Sequence, residues 1–337
     1  MKILILGGTW FLGRTLVEEA LRRRHAVTTF NRGRSGTDVD GAEVVRGDRE
    51  RQTDLDALVA GRRWDAVIDT SGYLPTVVRR SARTTAGHAS RYVFVSTVSV
   101  YERWPDEPVG ETSAVRPGTV DEEAGEDAES AAGYGRLKRG CELAVAESFP
   151  HAALVVRPGV ILGPHENVGR LPWWLTRIAQ GGPVLAPAPP DRAIQPIDVR
   201  DVSGFLLDHV EASGTGLFNL AAPQDAATFG SFLRACVEAT GADAELVWVA
   251  PDFLLSRDVG QWTELPLWRT HPGTWAIDTA KAQDAGLSCR PLSDTVRDTW
   301  EWLCSGARPV EHERQNEHGL SHKKEQHLLA AWRQGGS

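Results

Sequence analysis

Short apolar runs and helically spaced segments alternate along the first two-thirds of the chain. Lys2–Leu6 (KILIL) is rich in aliphatic and β-branched residues, the pattern of a strand buried on both faces. His25–Phe30, Ala42–Arg46, Trp64–Asp69, Arg91–Ser96, Ala153–Val156 and Gly216–Leu220 read as further strands. From Phe11 the spacing turns helical: Phe11, Leu12, Leu16, Val17 and Ala20 share one face, with Arg14, Glu18 and Glu19 off it. Pro75–Gly87 and Gly133–Phe149 also read as helices, as does Thr228–Thr240 with Phe229, Phe232, Leu233 and Val237 inward. Thr279–Gly286 and Pro291–Cys304 look like closing helices. Strands alternating with helical crossovers predict an α/β fold, a doubly wound parallel sheet with its ligand at the carboxyl ends of the strands. Residues 1–163 with 197–220 are expected to form that nucleotide-binding half. Residues 164–196 with 221–305 are expected to form a smaller C-terminal substrate-binding lobe, and 306–337 a tail with a short helix.

Two stretches lack this order. Glu102–Ser130 carries ten acidic residues against two arginines and no apolar periodicity. Of an ordered lid and a solvated excursion, the second is the expectation. The tail holds four of the ten histidines, at 312, 318, 322 and 327. His318 and His322 share a helix face only if the helix extends back through Gly319, so no metal site is expected. Leu328, Leu329 and Trp332 are expected to pack on the body or on a partner.

Between the first strand and the first helix stand Gly7, Gly8 and Thr9, with Gly13 one helical turn in. A strand, glycine turn and helix aim backbone N–H groups and a helix N-terminus at a phosphate. Gly7 permits the tight turn, and Gly13 lets helix and strand approach. Trp10 stands where the usual spacing has its middle glycine, so a large side chain faces the expected pyrophosphate. Gly7, Gly8, Thr9, Trp10, Phe11, Leu12 and Gly13 are therefore the candidate dinucleotide loop, a Rossmann-type arrangement. After the second strand come Asn31, Arg32 and Arg34, with no acid between Glu19 and Asp38. A carboxylate there would bind a ribose 2′-hydroxyl; a guanidinium suits a 2′-phosphate, so NADP(H) is expected over NAD(H). Asp48 follows the third strand, placed to accept from an adenine amine or to cap a turn, and Ser71 follows the fourth.

Length and charge narrow the classes. A chain of 337 residues can bury a full core, as one large domain or two closely joined ones. A formal charge of −8 and a pI near 5.7 argue against nucleic-acid or membrane-surface partners. The apolar runs are too short to span a bilayer, and Met1 leads directly into a strand. A soluble, cytoplasmic protein is expected. Cys141, Cys236, Cys289 and Cys304 form no C-x-x-C pair, which fits reduced thiols and supplies no metal knuckle. Of twelve tryptophans, six fall between Trp173 and Trp275, so the second half is built around either an aromatic cavity or an aromatic core.

Tyr134 and Lys138 are spaced i and i+4, on one face of the helix after the fifth strand. Together, GGTWFLG, the STVSVY run, YGRLK, RPGVILGP at Arg157–Pro164 and IDVRDV at Ile197–Val202 occur in family-like order. The chain resembles an extended short-chain dehydrogenase/reductase of the NAD-dependent epimerase/dehydratase family, over roughly residues 1–305. Its GGT-x-FLG variant is also similar to the subgroup that includes chloroplast stem-loop-binding proteins. The resemblance implies Thr97 as the catalytic Ser/Thr, Tyr134 as the catalytic tyrosine and Lys138 as the catalytic lysine. It implies that Tyr134 and Lys138 also touch the cofactor. Tyr73, Ser99, Trp173, Trp262 and Trp268 are the candidate substrate-side residues. Members often pair as homodimers through helices near the active-site tyrosine.

The implied activity is hydride transfer between a nicotinamide and a secondary alcohol or ketone of a small molecule, with no metal. The alternatives are an epimerase that retains its cofactor and a non-catalytic binding protein. In the family's sugar dehydratases, two acids follow the catalytic Ser/Thr; here Val98 and Ser99 stand there. The family's common Asn after the sixth strand is also missing from Arg157-Pro158-Gly159-Val160. Without those acids, no side chain in that turn can protonate a leaving hydroxyl. Incubation with NAD(P) and UDP- or dTDP-glucose should yield no 4-keto-6-deoxy sugar by mass spectrometry; its appearance would refute this reading.

Overall fold

A computed structural model describes residues 1–306 and 318–335. Its centre is a seven-stranded, all-parallel sheet. The strands are β1 (Lys2–Leu6), β2 (Ala26–Asn31), β3 (Glu43–Arg46), β4 (Ala66–Asp69), β5 (Tyr92–Val95), β6 (Ala153–Pro158) and Gly216–Leu220. Across the sheet they run Gly216–Leu220, β6, β5, β4, β1, β2, β3. The winding therefore reverses at β1, between β4 and β2, and a crevice opens at the carboxyl ends there.

Side-chain alternation along β1 assigns the helices to faces. Ile3 and Ile5 pack with Leu16, Val17 and Ala20 of α1 (Phe11–Arg22) and with the helix Val199–Glu211. Leu4 and Leu6 pack on the opposite side, with α2 (Gln52–Val59), α3 (Pro75–Ala86) and α4 (Ala131–Ser148). Both faces of β1 are covered, which is why its sequence is continuously apolar.

The second core is built after β6. It joins α5 (Arg170–Ala179), the helices Phe229–Thr240 and Leu292–Cys304, and a parallel pair of strands, Gly182–Pro187 and Ala244–Val249. Trp174, Phe229, Phe232 and Trp268 fill its centre, and the Trp174 indole donates to the Pro266 carbonyl at 2.8 Å. The helix His322–Gly335 packs on this lobe through Leu328 and Leu329, with Trp332 against Phe253 at 4.9 Å between ring centroids. Its Glu325 is 2 % exposed and accepts from Arg177 Nε at 2.6 Å and from the Leu185 N–H at 3.1 Å. His312 lies outside the described residues.

Residues 102–120 are docked rather than solvated, which corrects the expectation from the charge there, while most of 121–130 is exposed. Trp104 and Val109 are buried with Val98, Val100, Tyr101 and Ile277. The Val109 N–H donates to the Ala276 carbonyl at 3.0 Å, and its carbonyl accepts from the Asp278 N–H at 2.8 Å. The acids meet arginines of neighbouring helices: Asp121 pairs with Arg79, and Glu122 and Asp127 pair with Arg136. Two isolated apolar anchors leave no periodicity for a sequence reading to detect. Among the described residues no helix is long and apolar enough to cross a membrane.

Candidate active site

At the end of β1 the chain turns through Gly7 and Gly8, with φ of 110° and 100°. Neither conformation suits a residue with a Cβ. A Cβ on Gly13 would lie 2.8 Å from the Gly8 nitrogen, so α1 meets the turn backbone to backbone. Trp10 is the α1 N-cap, in extended conformation, with no side-chain capping hydrogen bond and no acid in the first turn. An uncapped, acid-free helix N-terminus above a glycine turn suits a dinucleotide pyrophosphate. Trp10 is half-buried and lines the cleft beside Gly7, Gly8, Thr9, Phe11, Leu12 and Gly13. Phe11 enters the helix at φ 29°, a strained value held at this loop.

The cleft, of about 520 Å³, extends past Asn31, Arg32, Arg34 and Asp48 to Ser71 and Tyr73. Arg32 and Arg34 are exposed. Asp38 folds back onto the end of β2, accepting from Asn31 Nδ2 at 3.3 Å and pairing with Arg46. The Arg46 guanidinium holds its carboxyl below the usual range. Asp48 Oδ1 accepts from the Glu50 N–H at 3.0 Å, so the turn-capping role is present while the side chain still borders the cleft.

Beneath the cleft lies a charged pair that the sequence reading missed. Asp69 is fully buried at the end of β4 and is held by Arg49 at 2.8 and 2.6 Å. It also accepts from Tyr92 Oη at 2.8 Å and from the Ser71 N–H at 3.0 Å. Burial raises the carboxyl pKa, but the guanidinium outweighs it and the net direction is down. Arg49 also donates to Ser71 Oγ at 3.1 Å, and Ser71 Oγ donates to the Leu6 carbonyl at 3.1 Å. The pair thus ties the loop after β4 to β1. An acid ending an apolar strand needs a buried cation, and that signal could have found Arg49. Asn167, also on the cleft wall, gave no comparable signal.

Lys138 is 4 % exposed, and its ammonium donates to the Gly72 carbonyl at 2.7 Å and the Val95 carbonyl at 2.6 Å. Burial pushes its pKa down. The ammonium lies 4.3 Å from the Phe94 ring centroid and 5.7 Å from that of Tyr73. Thr97 Oγ1 accepts from the Ser99 N–H at 3.2 Å and caps the one-turn 3-10 helix Val98–Val100. Ser99 is buried, with its hydroxyl 3.3 Å from that of Thr97. Gly135 lies so close to this turn that a Cβ would sit 2.0 Å from the Ser99 carbonyl oxygen. The Thr97 turn therefore rests on the first turns of α4, where Tyr134 stands half-buried.

The tryptophans divide. Trp268 is 1 % exposed in the lobe core. Trp173 is edge-on to Trp174 at 4.7 Å and is covered by Gly319, where a Cβ would fall 1.7 Å from its indole nitrogen. Both are placed in packing. Trp262 is half-buried, with Arg269 stacked at 4.2 Å and Arg170 at 5.6 Å. Tyr73 is 56 % exposed on the cleft wall. Among the described residues no group of three or more His, Cys, Asp or Glu could hold a metal ion.

Residues 3–221 match the model of the NAD dependent epimerase/dehydratase family. The chain belongs to this family. It is thus an enzyme-type member of the short-chain dehydrogenase/reductase superfamily. The chloroplast stem-loop binding protein of 41 kDa b from Arabidopsis thaliana is 25% identical over 271 residues, 74% of this chain. The chain spans 66% of that relative's length. In fold it is similar to the Bordetella bronchiseptica enzyme WbmH, solved with NAD+, at TM-score 0.67 and 18% identity, covering 90% of this chain and 98% of that one. UDP-N-acetylglucosamine 4-epimerase from Bacillus cereus gives 0.67 at 15% identity, covering 91% and 98%.

Removing Arg49 leaves a buried carboxylate unpaired, so Arg49→Met should destabilise the protein by about 3–5 kcal/mol at neutral pH. The sign with pH follows from the direction of the Asp69 shift. In the parent, the Asp69 contribution is present above the unfolded carboxyl value near ~3.9 and is lost as pH falls through the lower folded value. In the variant the unpaired carboxyl rises instead, so the deficit should shrink as pH is lowered toward ~4. Urea midpoints of both proteins across that range check it; a pH-independent deficit contradicts the pairing.

Proposed function

We propose that the chain is an NADP(H)-dependent oxidoreductase of the extended type, transferring hydride at a secondary alcohol or ketone of a small molecule. The observation that carries this is the convergence of the Thr97 turn, the start of α4 and the buried Lys138 ammonium beside the glycine-lined cleft. A bound nicotinamide supplies the hydride acceptor or donor. Tyr134 is the general acid/base. Its phenol, ordinarily near ~10, needs a nearby positive charge to give up its proton at neutral pH, and Lys138 one turn away supplies it. Two carbonyls hold that ammonium in place, leaving its third N–H for a cofactor ribose hydroxyl. Thr97 orients the substrate oxygen toward Tyr134.

An epimerase that retains its cofactor uses the same three residues. The sugar-nucleotide epimerases among the structural neighbours favour it as the second reading. Nicotinamide absorbance separates the two, with phenanthrenequinone as ketone probe and UDP-glucose as sugar probe. Net NADPH consumption supports the oxidoreductase; UDP-galactose without net absorbance change supports the epimerase. Turnover of neither probe by cofactor-loaded protein favours a binding function.

Tyr134→Phe should bind cofactor as the parent does and lose turnover by roughly 10²–10⁴-fold. Undiminished turnover in steady-state assays would remove the mechanism. For cofactor choice, Arg32 and Arg34 border the cleft, while Asp38 is engaged by Arg46. A charge-assisted contact to a 2′-phosphate is worth roughly 1.5–3 kcal/mol, or about 10- to 100-fold in affinity. NADPH should therefore bind more tightly than NADH in fluorescence titrations, and Arg32→Ala should erode the difference. Equal affinities in the parent would make Arg32 a surface residue.

A further inference from the structure

Glu142 stands one turn beyond Lys138 and two beyond Tyr134 on α4, and it is 4 % exposed. Both its oxygens are fully engaged. Oε1 accepts from Ser96 Oγ at 2.6 Å and from Arg157 Nε at 2.8 Å. Oε2 accepts from Arg157 Nη2 at 2.7 Å and from Arg139 Nη1 at 3.0 Å. Burial works against the charge, yet the Arg157 guanidinium keeps the carboxyl below its usual range.

These partners flank the Thr97 turn. Ser96 immediately precedes Thr97. Arg157, on β6, lies with its guanidinium 4.8 Å from the ring centroid of Tyr101, the residue that ends the Val98–Val100 helix. Tyr101 Oη donates to Asn219 Oδ1 at 2.7 Å, fixing that ring to the outermost strand. Lys138, on the same helix, grips the residue before Ser96 through the Val95 carbonyl. Thus one carboxylate on the helix of Tyr134 and Lys138 is linked to both ends of the turn that carries Thr97. A buried ion pair contributes little net stability compared with apolar residues of the same volume. Four directional hydrogen bonds do fix relative position, which apolar packing does less sharply.

We propose that Glu142 is a positioning residue: by holding Ser96 directly and Tyr101 through Arg157, it fixes the Thr97 hydroxyl relative to Tyr134 and Lys138, so that the three act as a unit. This rests on the catalytic reading of those three residues. A misplacement of about 1 Å in such a constellation can cost about 10²-fold in rate.

Three variants test it, with the phenanthrenequinone and UDP-glucose probes and NADPH titration. Glu142→Gln should lower kcat by about 10²-fold. Ser96→Ala, which keeps the ion pair, should lower kcat by about tenfold, an intermediate share of the same effect. KM and NADPH affinity should stay within about twofold, and Ser96→Thr should restore most of the rate. Should Glu142→Gln fail to fold, Ser96→Ala decides alone. A folded Ser96→Ala with parental kcat overturns the proposal, as does loss of NADPH affinity in step with kcat. Crystal structures of the parent and Ser96→Ala give a readout independent of turnover. The separation of the Thr97 and Tyr134 hydroxyls should change while α4 and β6 stay superposed; for a chain that converts neither probe, an unchanged separation overturns the proposal. Full activity in Tyr134→Phe would instead sink the catalytic reading and leave that separation to decide the role of Glu142.

Discussion

Burial of charge at the carboxyl ends of β4, β5 and β6 is the constraint around which this site is assembled. Asp69, Lys138, Glu142 and Arg157 are each at most 4 % exposed. An unpaired ion at such depth would cost several kcal/mol, so each must find partners in a fixed geometry. Asp69 takes Arg49, Lys138 takes two backbone carbonyls, and Glu142 takes Arg157, Arg139 and Ser96. Apart from Arg139, which shares α4 with Glu142, each partner comes from a different part of the chain. The need to neutralise charge thereby fixes the loop after β4, the turn after β5 and helix α4 against one another.

The turn between β1 and α1 depends instead on empty space. Gly7 and Gly13 let the β1 turn and the α1 N-terminus come together with no side chain between them, and the first-turn N–H groups stay uncapped. Trp10, the N-cap of α1, is half-buried and lines the same cleft. The strain at Phe11 is the local cost of that arrangement. In the second lobe, aromatic packing does the holding. Trp174, Phe229, Phe232 and Trp268 form a lobe core to which the His322–Gly335 helix adds its own apolar face.

Much of this was legible in the chain. Continuous apolar runs mark β1, β4 and β5 because both faces of a parallel sheet are covered, and β1 and Gly216–Leu220 have the bounds that the pattern predicts. The glycine turn, the Tyr134–Lys138 spacing and the hydroxyl-rich end of β5 are local features, so they could be read where they stand. The spacing of Leu328, Leu329 and Trp332 marked a packing face without saying whether the body or a partner covers it, and the structure sets that face on the body.

What the sequence by itself determined, then, is the fold class, the glycine turn between β1 and α1 and the helix that carries Tyr134 and Lys138, since each is encoded within one stretch by periodicity or fixed spacing. Tertiary structure alone decided the rest. The acidic segment 102–130 is ordered because arginines from α3 and α4 meet its carboxylates and Trp104 and Val109 anchor it, all contacts between distant residues. Trp268 is buried in the lobe core and Trp173 is half-buried against Trp174 and Gly319, placements that composition alone cannot supply. Arg49 reaches Asp69 across 20 residues, and Ser96 and Glu142 meet across 46. A sequence shows that such charges exist; only the folded chain shows which of them must face one another.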